Sequence, residues 1–398
     1  MRQMGGFGRF LVVVGASGLL TGLMACGASA APAVHEASAS ASTTAGAAAP
    51  ATSISTSAPS TSAPSAASTA AAARLPSFGN PGGHAYVPPA GRAVNTSHPS
   101  HVVGNGTAAS CTSAAVVRDV ALGGIIRFNC GPKPVTILMT KTAKVVNTRH
   151  RVVLDGGGKV TLSGGGKIEI LYMDTCDKRQ IWTTSDCYNQ EWPQLVVQNI
   201  TFTRGYSGVH EGNGNQPYGG GAIYAEGGQF KAVNSAFINN GCYKYGPDLG
   251  GAAIRALAQW HNRPVYVTDD TFRGGRCSNG GALSSISVQW DVLNSVFTNN
   301  KAIGWGANPS GKGTPGGGSG GAIYLDGVKD DVLISGTVIT GNSAREGGGA
   351  VFDVVDQDWG TLTLKACTLK RNTSGEFQNY PGIFYEVDGQ LRQPTVIG

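Results

Sequence analysis

The stretch Asn234-Ser235-Ala236-Phe237-Ile238-Asn239-Asn240, followed by Gly250-Gly251-Ala252, decides the fold because both of its motifs recur along the chain. Gly-Gly-Ala occurs five times, starting at positions 220, 250, 280, 320 and 348, with spacings of 30, 30, 40 and 28 residues. Repeats of about 20 to 50 residues are typical of solenoids and propellers. The second half of the chain is therefore predicted to stack units of similar length.

A second motif, Asn/Asp-x-x-Phe, runs in phase with the first. Its four copies begin at Asn199, Asn234, Asp269 and Asn294. An Asn at the same corner of every unit can hydrogen-bond nearby backbone groups and the Asn of the next unit. The sequence therefore predicts that these four residues form a structural ladder, with the following Phe side chains stacked inside.

Short β-rich runs at 195–197, 264–267, 332–334 and 361–364 lie between the Gly and Asn positions. No helix-length segment separates them, which excludes an α/β sheet, because parallel strands in such a sheet need crossover helices. Stacked parallel strands remain, in an all-β solenoid. Residues 111–130 fit a short capping helix followed by a first strand, which would cover the open N-terminal end.

These residues resemble the right-handed parallel β-helix proteins of the pectate-lyase-like superfamily, over about residues 107–390. The Gly-Gly-Ala-Ile and Phe-x-x-Asn units resemble the repeat of polymorphic outer-membrane proteins. The resemblance implies a right-handed parallel β-helix. It does not imply one activity, because such proteins include polysaccharide lyases and hydrolases, adhesins and other surface proteins.

The N-terminus has the pattern of an export signal, with Arg2 and Arg9 before the apolar run 10–20. Leu23-Met24-Ala25-Cys26 resembles a lipobox that would place a lipid on Cys26, whereas Ala28-Ser29-Ala30 is a competing signal-peptidase site. An uncleaved anchor is the third possibility. We predict a signal peptide at 1–25, a disordered Ala/Ser/Thr/Pro-rich linker at 26–100 and the β-helix domain at 101–398. The protein is then a cell-surface lipoprotein or a secreted protein.

The eight cysteines agree with an oxidising compartment. Proximity along the chain suggests three disulfides, Cys111–Cys130, Cys176–Cys187 and Cys242–Cys277. Pairing does not follow from sequence alone. If Cys26 carries a lipid, Cys367 is left over and is either buried or free.

Composition excludes several classes of protein. Glycine makes up 60 of 398 residues and charged residues only 14%, against typical shares of about 7% and 25%. This argues against a helical bundle, a coiled coil and an acidic disordered protein. The formal charge of +6 is spread thinly, so we expect no nucleic-acid partner. We expect a monomer that contacts the membrane only through an N-terminal lipid.

Positions after Gly-Gly-Ala predict the two faces of a strand. We expect one row of side chains to point inward, namely Ile223, Ala253, Leu283, Ile323 and Val351. We expect the next row to point outward, namely Tyr224, Ile254, Ser284, Tyr324 and Phe352. Aromatic rings beside carboxylates on a rigid sheet suit sugar binding, so Tyr224, Tyr324 and Phe352 are candidate ligand-binding residues. The rings could instead pack under inserted loops.

Catalysis has weaker candidates. Glu226, Asp326, Asp353 and Arg255 could serve glycoside hydrolysis or a lyase reaction, although a solvated acidic edge and a structural ion pair are the alternatives. We expect no metal site and no cofactor, calcium being considered only for a lyase. No polygalacturonase or pectate-lyase motif is recognisable.

Two functions follow from these observations. The first is a non-enzymatic surface protein that binds envelope or extracellular polysaccharide, or a surface partner. The second is a polysaccharide lyase or glycoside hydrolase that acts on an acidic polysaccharide, with a cleft formed by inserted loops at 171–193, 204–219 and 301–319.

Overall fold

The computed structural model describes residues 78–180, 187–208, 219–247, 249–307, 313–357 and 359–398. The described residues belong to one compact unit. The predicted signal peptide, Cys26 and the linker up to residue 77 lie outside the described residues. Within the described residues the fold is the all-β parallel β-helix with a short N-terminal helix, as the sequence predicts.

The central coils of the solenoid pass through three sheets in the order sheet 2, sheet 1, sheet 3, and neighbouring strands are parallel except for the last pair of sheet 2. Sheet 1 contains His101–Val103, Gly124–Phe128, Val135–Leu138, Arg151–Ser163, Gln194–Thr203, Gln229–Val233, Ala236–Ile238, Val265–Thr268, Thr271–Arg273, Trp290–Leu293, Val296–Thr298, Asp331–Ser335, Val338–Thr340, Thr361–Lys365, Thr368–Lys370 and Thr395–Ile397. Sheet 2 contains Ala143–Lys144, Leu171–Asp174, Ile223–Glu226, Ile254–Leu257, Leu283–Ile286, Ile323–Gly327, Val351–Val355, Ile383–Val387 and Gln390–Leu391. Sheet 3 contains Tyr206–Ser207, Gly241–Cys242, Arg276–Cys277, Lys301–Ala302, Ser343–Ala344 and Thr373–Ser374.

Helix α1, Ser113–Leu122, lies at the N-terminal end of the coils. The Thr112 side chain accepts a hydrogen bond from the N–H of Ala115, which satisfies one of the free donors of the first turn. Short 3-10 turns lie at Pro89–Gly91, Ala108–Ser110, Lys178–Gln180, Cys187–Asn189 and Trp260–Asn262. No helix among the described residues is long and apolar enough to cross a membrane.

In five successive coils, one glycine forms the turn that enters sheet 2. These residues are Gly220, Gly251, Gly280, Gly320 and Gly348, with φ between +53° and +72°. A Cβ at any of them would lie 2.1–2.5 Å from the backbone carbonyl oxygen three residues later. Both the positive φ and the close approach require glycine, which is why Gly-Gly-Ala recurs.

The Asn/Asp positions form the bend within sheet 1. Asn199, Asn234, Asp269 and Asn294 all have φ between +48° and +56°, a region that Asn and Asp tolerate better than most residues. The Asn234 amide donates a hydrogen bond to the Asn199 side-chain oxygen at 2.6 Å. The side chains of this column thus bond from coil to coil.

Phenylalanine side chains form a continuous stack inside the solenoid. The Phe202, Phe237, Phe272 and Phe297 rings are nearly parallel, with centroids 4.6–5.3 Å apart. All four are at most 1% exposed. The stack fills the core beside the bend of sheet 1.

The prediction of the inward and outward rows is wrong by one residue in the coil that contains Ile254. Ile223 pairs with Ile254, and Tyr224 pairs with Arg255. Ile254 therefore occupies the inward row that was predicted for Ala253, and Arg255 takes the outward position that was predicted for Ile254. The Gly-Gly-Ala copy at 250 is offset by one residue in the ladder, and the larger Ile side chain fills the core.

The predicted linker ends earlier than expected. Residues 78–100, the N-terminal strap, run along the bend of sheet 1 against the order of the coils. Its hydrogen bonds join Gly79 to Thr271, Asn80 to Gly336 and Asn294, Ala85 to Asn294, Ala90 and Arg92 to Lys231, Val94 to Gln198, Thr96 to Asp155 and Ser100 to Ile125. The composition of residues 78–100 does not indicate that they are ordered, because their hydrogen bonds use backbone groups and small polar side chains.

Two of the suggested disulfides are present. Cys111–Cys130 encloses α1, and Cys242–Cys277 joins neighbouring strands of sheet 3, with Cα–Cα distances of 5.6 and 4.7 Å. Cys176 is disulfide-bonded, but the side chain of Cys187 lies outside the described residues. Cys367 is free and half-buried.

Candidate functional site

The four candidate catalytic residues do not meet in one cleft. Glu226 and Asp326 lie in the same row of sheet 2, but three ladder steps apart, or about 14 Å at ~4.8 Å per step. Asp353 alternates with Val351 and Val355, which belong to the core, so its side chain points into the solenoid. Only Arg255 lies close to Glu226, on the neighbouring strand.

A tyrosine–carboxylate motif repeats on the outer face of sheet 2. Residues two apart on a strand share a face, and each tyrosine hydroxyl donates to the acid that follows it by two. These bonds are Tyr172–Asp174 at 2.9 Å, Tyr224–Glu226 at 2.6 Å and Tyr324–Asp326 at 3.0 Å. The repeated Tyr-x-Asp/Glu pattern was the sequence signal that could have added Asp174 to the candidates.

Asp174 and Glu226 form the closest pair of acids on this face. The two residues are ladder partners, and a carboxylate oxygen of each lies within 4.8 Å of the other and of the Cys176 sulfur. Because Cys176 is disulfide-bonded, it offers no thiolate to a metal. The pair therefore offers a metal only two carboxylates, because the disulfide-bonded sulfur of Cys176 cannot act as a third ligand.

Burial shifts the pKa of both acids in the same direction. Burial and the neighbouring Asp174 raise the pKa of Glu226, against the opposing effects of the Tyr224 hydrogen bond and of Arg255. Burial also raises the pKa of Asp174. The Arg255 side chain is 2% exposed and donates to the Ser284 hydroxyl at 2.6 Å. A buried cation beside Glu226, one of two neighbouring acids with raised pKa values, suits proton transfer or the binding of a polar ligand.

This pair predicts a pH dependence of stability. The raised folded-state pKa of Glu226 means that its contribution is fully present below its unfolded pKa of about 4.3 and is lost as the pH rises through the folded value. Between pH 4 and 8, the free energy of unfolding should fall less in Glu226→Gln than in the wild type. Urea unfolding at several pH values measures this. Glu191→Gln, a change at an exposed residue, is the control, and an equal slope in all three proteins would contradict the prediction.

The candidate ligand-binding rings do not offer an open surface. Tyr224, Tyr324 and Phe352 are 4%, 5% and 2% exposed. The Tyr324 and Phe352 rings stack at 5.0 Å, and Phe384 continues the stack at 5.2 Å. Tyr224 stacks separately, on Tyr172 at 5.6 Å, so each of the three rings is buried against another aromatic ring.

A different aromatic surface was missed by the sequence reasoning. The corner between sheets 2 and 1 carries exposed or half-buried rings of Tyr188, Trp192, Trp260 and Trp359, which we name the corner ridge. Basic or imidazole side chains accompany the tryptophans. Trp192 stacks on His150 at 4.3 Å, Trp260 lies 4.8 Å from the Arg263 guanidinium, and Trp359 lies 5.1 Å from the Lys329 ammonium.

A groove of about 360 Å³ follows this corner across several coils. Its walls are Tyr188, Asn189, His261, Asn262, Ser287, Val328 and Lys329. A second cavity, of about 470 Å³, lies around His150 and Trp192. Aromatic, amide and basic side chains thus line two separate cavities, one around Trp192 and one around Tyr188 and Lys329.

A sequence signal for this ridge existed. Trp192 and Trp359 each stand two residues before a sheet 1 strand, at Gln194–Thr203 and Thr361–Lys365. A large apolar ring in a turn at the same point of two coils is unusual, since turns favour Gly, Asn, Asp, Ser and Pro.

Residues 294–326 match the Chlamydia polymorphic membrane protein repeat. The match runs from the corner residue Asn294 through Phe297 and the turn at Gly320 to the end of the motif at Asp326. No curated protein and no solved structure is significantly similar to the chain. The predicted resemblance in the repeat is confirmed, and the chain carries a polymorphic membrane protein repeat within a parallel β-helix.

Proposed function

We propose that this protein is a surface protein whose corner ridge binds an acidic polysaccharide without cleaving it. The single observation that carries the proposal is the set of three tryptophans on one corner of the solenoid, each beside a basic or imidazole group. Aromatic faces pack against the apolar faces of sugars, and Lys and Arg pair with carboxylate groups. The ridge combines the two.

An extracytoplasmic location is supported by the repeat and by the disulfides. The lipobox-like sequence at Cys26 favours a lipid-anchored form over a secreted one. In either form the β-helix would meet envelope or extracellular polysaccharides. The proposal includes the resemblance to pectate-lyase-like proteins only as a similarity of the β-helix scaffold.

The direction of the ridge favours a polymer over a small ligand. Successive coils are stacked at about 4.8 Å, and Trp192 and Trp359 stand beside strands five ladder steps apart. The groove between them connects residues of four different turns. A chain of sugars lying along the coil axis would contact several coils at once.

The binding prediction concerns Trp260 and Trp359. Replacing either by alanine should weaken retention on an immobilised acidic polysaccharide about three- to tenfold, because one stacking contact and its neighbouring cation contact are lost. Affinity chromatography or surface plasmon resonance against pectate, alginate and hyaluronate measures this.

Trp305→Ala is the matched control for that experiment. Trp305 is 37% exposed and lies 5.5 Å from the Arg345 guanidinium, but it follows a sheet 3 strand and is not on the corner. Its replacement should leave retention unchanged. Equal weakening by Trp305→Ala and Trp359→Ala, or no weakening by Trp359→Ala, would contradict the proposal.

A lyase or glycoside hydrolase remains the second candidate, because one observation favours it. Asp174 and Glu226 have carboxylate oxygens within 4.8 Å, near the spacing of about 5–5.5 Å between the carboxyl groups of retaining glycosidases. The same polysaccharides, incubated with the protein, distinguish the two functions. New reducing ends or unsaturated products that disappear in Glu226→Gln would make the protein an enzyme, and retention without products would favour binding.

A further inference from the structure

Basic side chains line the corner where sheet 1 leads into sheet 3, which we name the basic edge. Three columns of residues meet at this corner, one at the end of sheet 1, one in the turn and one at the start of sheet 3. The basic edge consists of Arg204, Arg273, Arg276, Lys301, Lys370 and Arg371, all of them exposed. These residues are far apart in the sequence, and only the register of the coils shows that they share one corner.

The register also sets the spacing of the charges. Arg276 and Lys301 are direct ladder partners in sheet 3, so their backbones lie about 4.8 Å apart. Arg273 ends the sheet 1 strand of the same coil as Arg276. Arg204 and Arg371 occupy the same turn column five ladder steps apart, which is about 24 Å. The basic edge is therefore a line of positive charge along the coil axis.

The segments that form this corner contain no acidic residue. They are all described by the structure and comprise residues 203–207, 238–242, 273–277, 298–302, 340–344 and 370–374. Within the described part of the chain, the ion pairs are Arg118–Asp119 and Arg179–Asp177, and neither involves the basic edge. Like charges on neighbouring strands repel each other, and an anion bound along the edge would relieve this repulsion.

Basic side chains elsewhere on the solenoid have partners. Lys231 donates hydrogen bonds to two carbonyl oxygens of the N-terminal strap, and Arg149 donates to one in α1. Arg263, Lys329 and Arg345 lie beside tryptophan rings. The six side chains of the basic edge make no hydrogen bond, ion pair or ring contact with any residue that the structure describes. Their donors are therefore available to a ligand.

The composition of the edge favours phosphate groups as that ligand. Four of its six cations are arginines, whose planar guanidinium pairs with a phosphate through two parallel hydrogen bonds. Tyr206 is the one aromatic residue in the six segments, so the edge offers little surface for stacking sugar rings or nucleobases. A polymer bound there must be recognised through charges in its backbone. Phosphodiester chains have this property, because every linkage between their units carries a negative charge.

We propose that the basic edge binds a linear polymer whose sugar or polyol units are joined by phosphodiester groups. The polymer lies along the coil axis, and one phosphate contacts Arg276 and Lys301 together because these residues are ladder partners. This surface is separate from the corner ridge. The ridge precedes sheet 1 in each coil, whereas the basic edge follows it.

Binding of the full chain to immobilised poly(glycerol phosphate) tests the proposal. The wild type should bind, and its affinity should fall as the salt concentration rises. At about 50 mM sodium chloride, Arg276→Gln/Lys301→Gln should weaken binding roughly tenfold. The slope of log affinity against log salt should become shallower by about 1.4, since each contact between a cation and a phosphate of a single chain contributes about 0.7.

A matched variant controls for net charge. Arg127→Gln/Lys133→Gln removes one arginine and one lysine from exposed positions in the N-terminal coils, before sheet 3 begins. It should leave both the affinity and the slope unchanged. Trp359→Ala, on the corner ridge, should also leave them unchanged, so this test and that of the corner ridge fail independently. Because all four charged positions are exposed, far-ultraviolet circular dichroism should show the wild-type fold in both double variants.

Four results would overturn the proposal. The first is that the wild type does not bind poly(glycerol phosphate). The second is equal weakening by the two double variants, which would reflect net charge alone. The third is tighter binding to single-stranded DNA that is lost in Arg276→Gln/Lys301→Gln, which would assign the edge to nucleic acid. The fourth is an equal loss of pectate binding in that variant, which would make the edge a general polyanion surface without preference for phosphate.

Discussion

Replacing Gly320 with alanine should lower the free energy of unfolding by about 3–5 kcal/mol. Gly320 has φ +71°, where a side chain is strained. The new Cβ would also lie 2.4 Å from the carbonyl oxygen of Ile323. That oxygen belongs to a strand paired on both sides, with Leu283–Ile286 and Val351–Val355. The clash can therefore be relieved only by moving the backbone of several coils.

Gly157→Ala separates the strain from the clash. Gly157 has φ +57°, but no atom lies within 4 Å of a Cβ placed there. Its replacement should cost only about 1–2 kcal/mol, from the left-handed backbone alone. Urea unfolding of both variants, followed by far-ultraviolet circular dichroism, measures the difference. Equal costs would mean that close approach does not explain the glycine column.

Replacing Phe237 with alanine should cost about 3–5 kcal/mol. Its ring lies between those of Phe202 and Phe272, with centroid distances of 5.3 and 4.8 Å, and is 1% exposed. The strand of Phe237 pairs with its neighbours on both sides, so the coils cannot close around the cavity. The lost contacts and the residual void both add to the cost.

The chain offers a matched control for this cavity. Ile339 and Leu369 continue the column after Phe297, in register. Leucine is therefore compatible with the column, and Phe237→Leu should cost less than about 2 kcal/mol. The same urea series measures it. A cost as large as that of alanine would show that stacking of the rings, rather than filled volume, holds the column together.

The repeated positions could be predicted from the sequence because the same backbone and packing constraints recur from coil to coil. A positive φ needs Gly or Asn, and a shared core column needs apolar side chains of similar size, so these residues recur at visible intervals. The glycine turn at Gly320 and the stack around Phe237 are of this kind. The row prediction was wrong at Ala253, because the Gly-Gly-Ala copy that begins at residue 250 lies one residue out of the ladder register.

The candidate sites depended on features that do not repeat in every coil. The buried acids Asp330 and Asp353 are one example, because one stands in the turn before a sheet 1 strand and the other in an inward row of sheet 2. The Asp174–Glu226 pair needed the alignment of a coil that lacks Gly-Gly-Ala. Sequence spacing measures separation along the chain, whereas these sites depend on separation between coils.

The N-terminal strap has a mechanical consequence. It crosses the coils in reverse order, from the region of Asn294 and Gly336 at residue 80 to Asp155 at residue 96. A pull on the chain before residue 78 would load its hydrogen bonds one after another, as in peeling, rather than all together in shear. The strap would release roughly 70 Å of chain as it detached, while the coils stayed folded. It would therefore yield first and protect the solenoid from sudden tension.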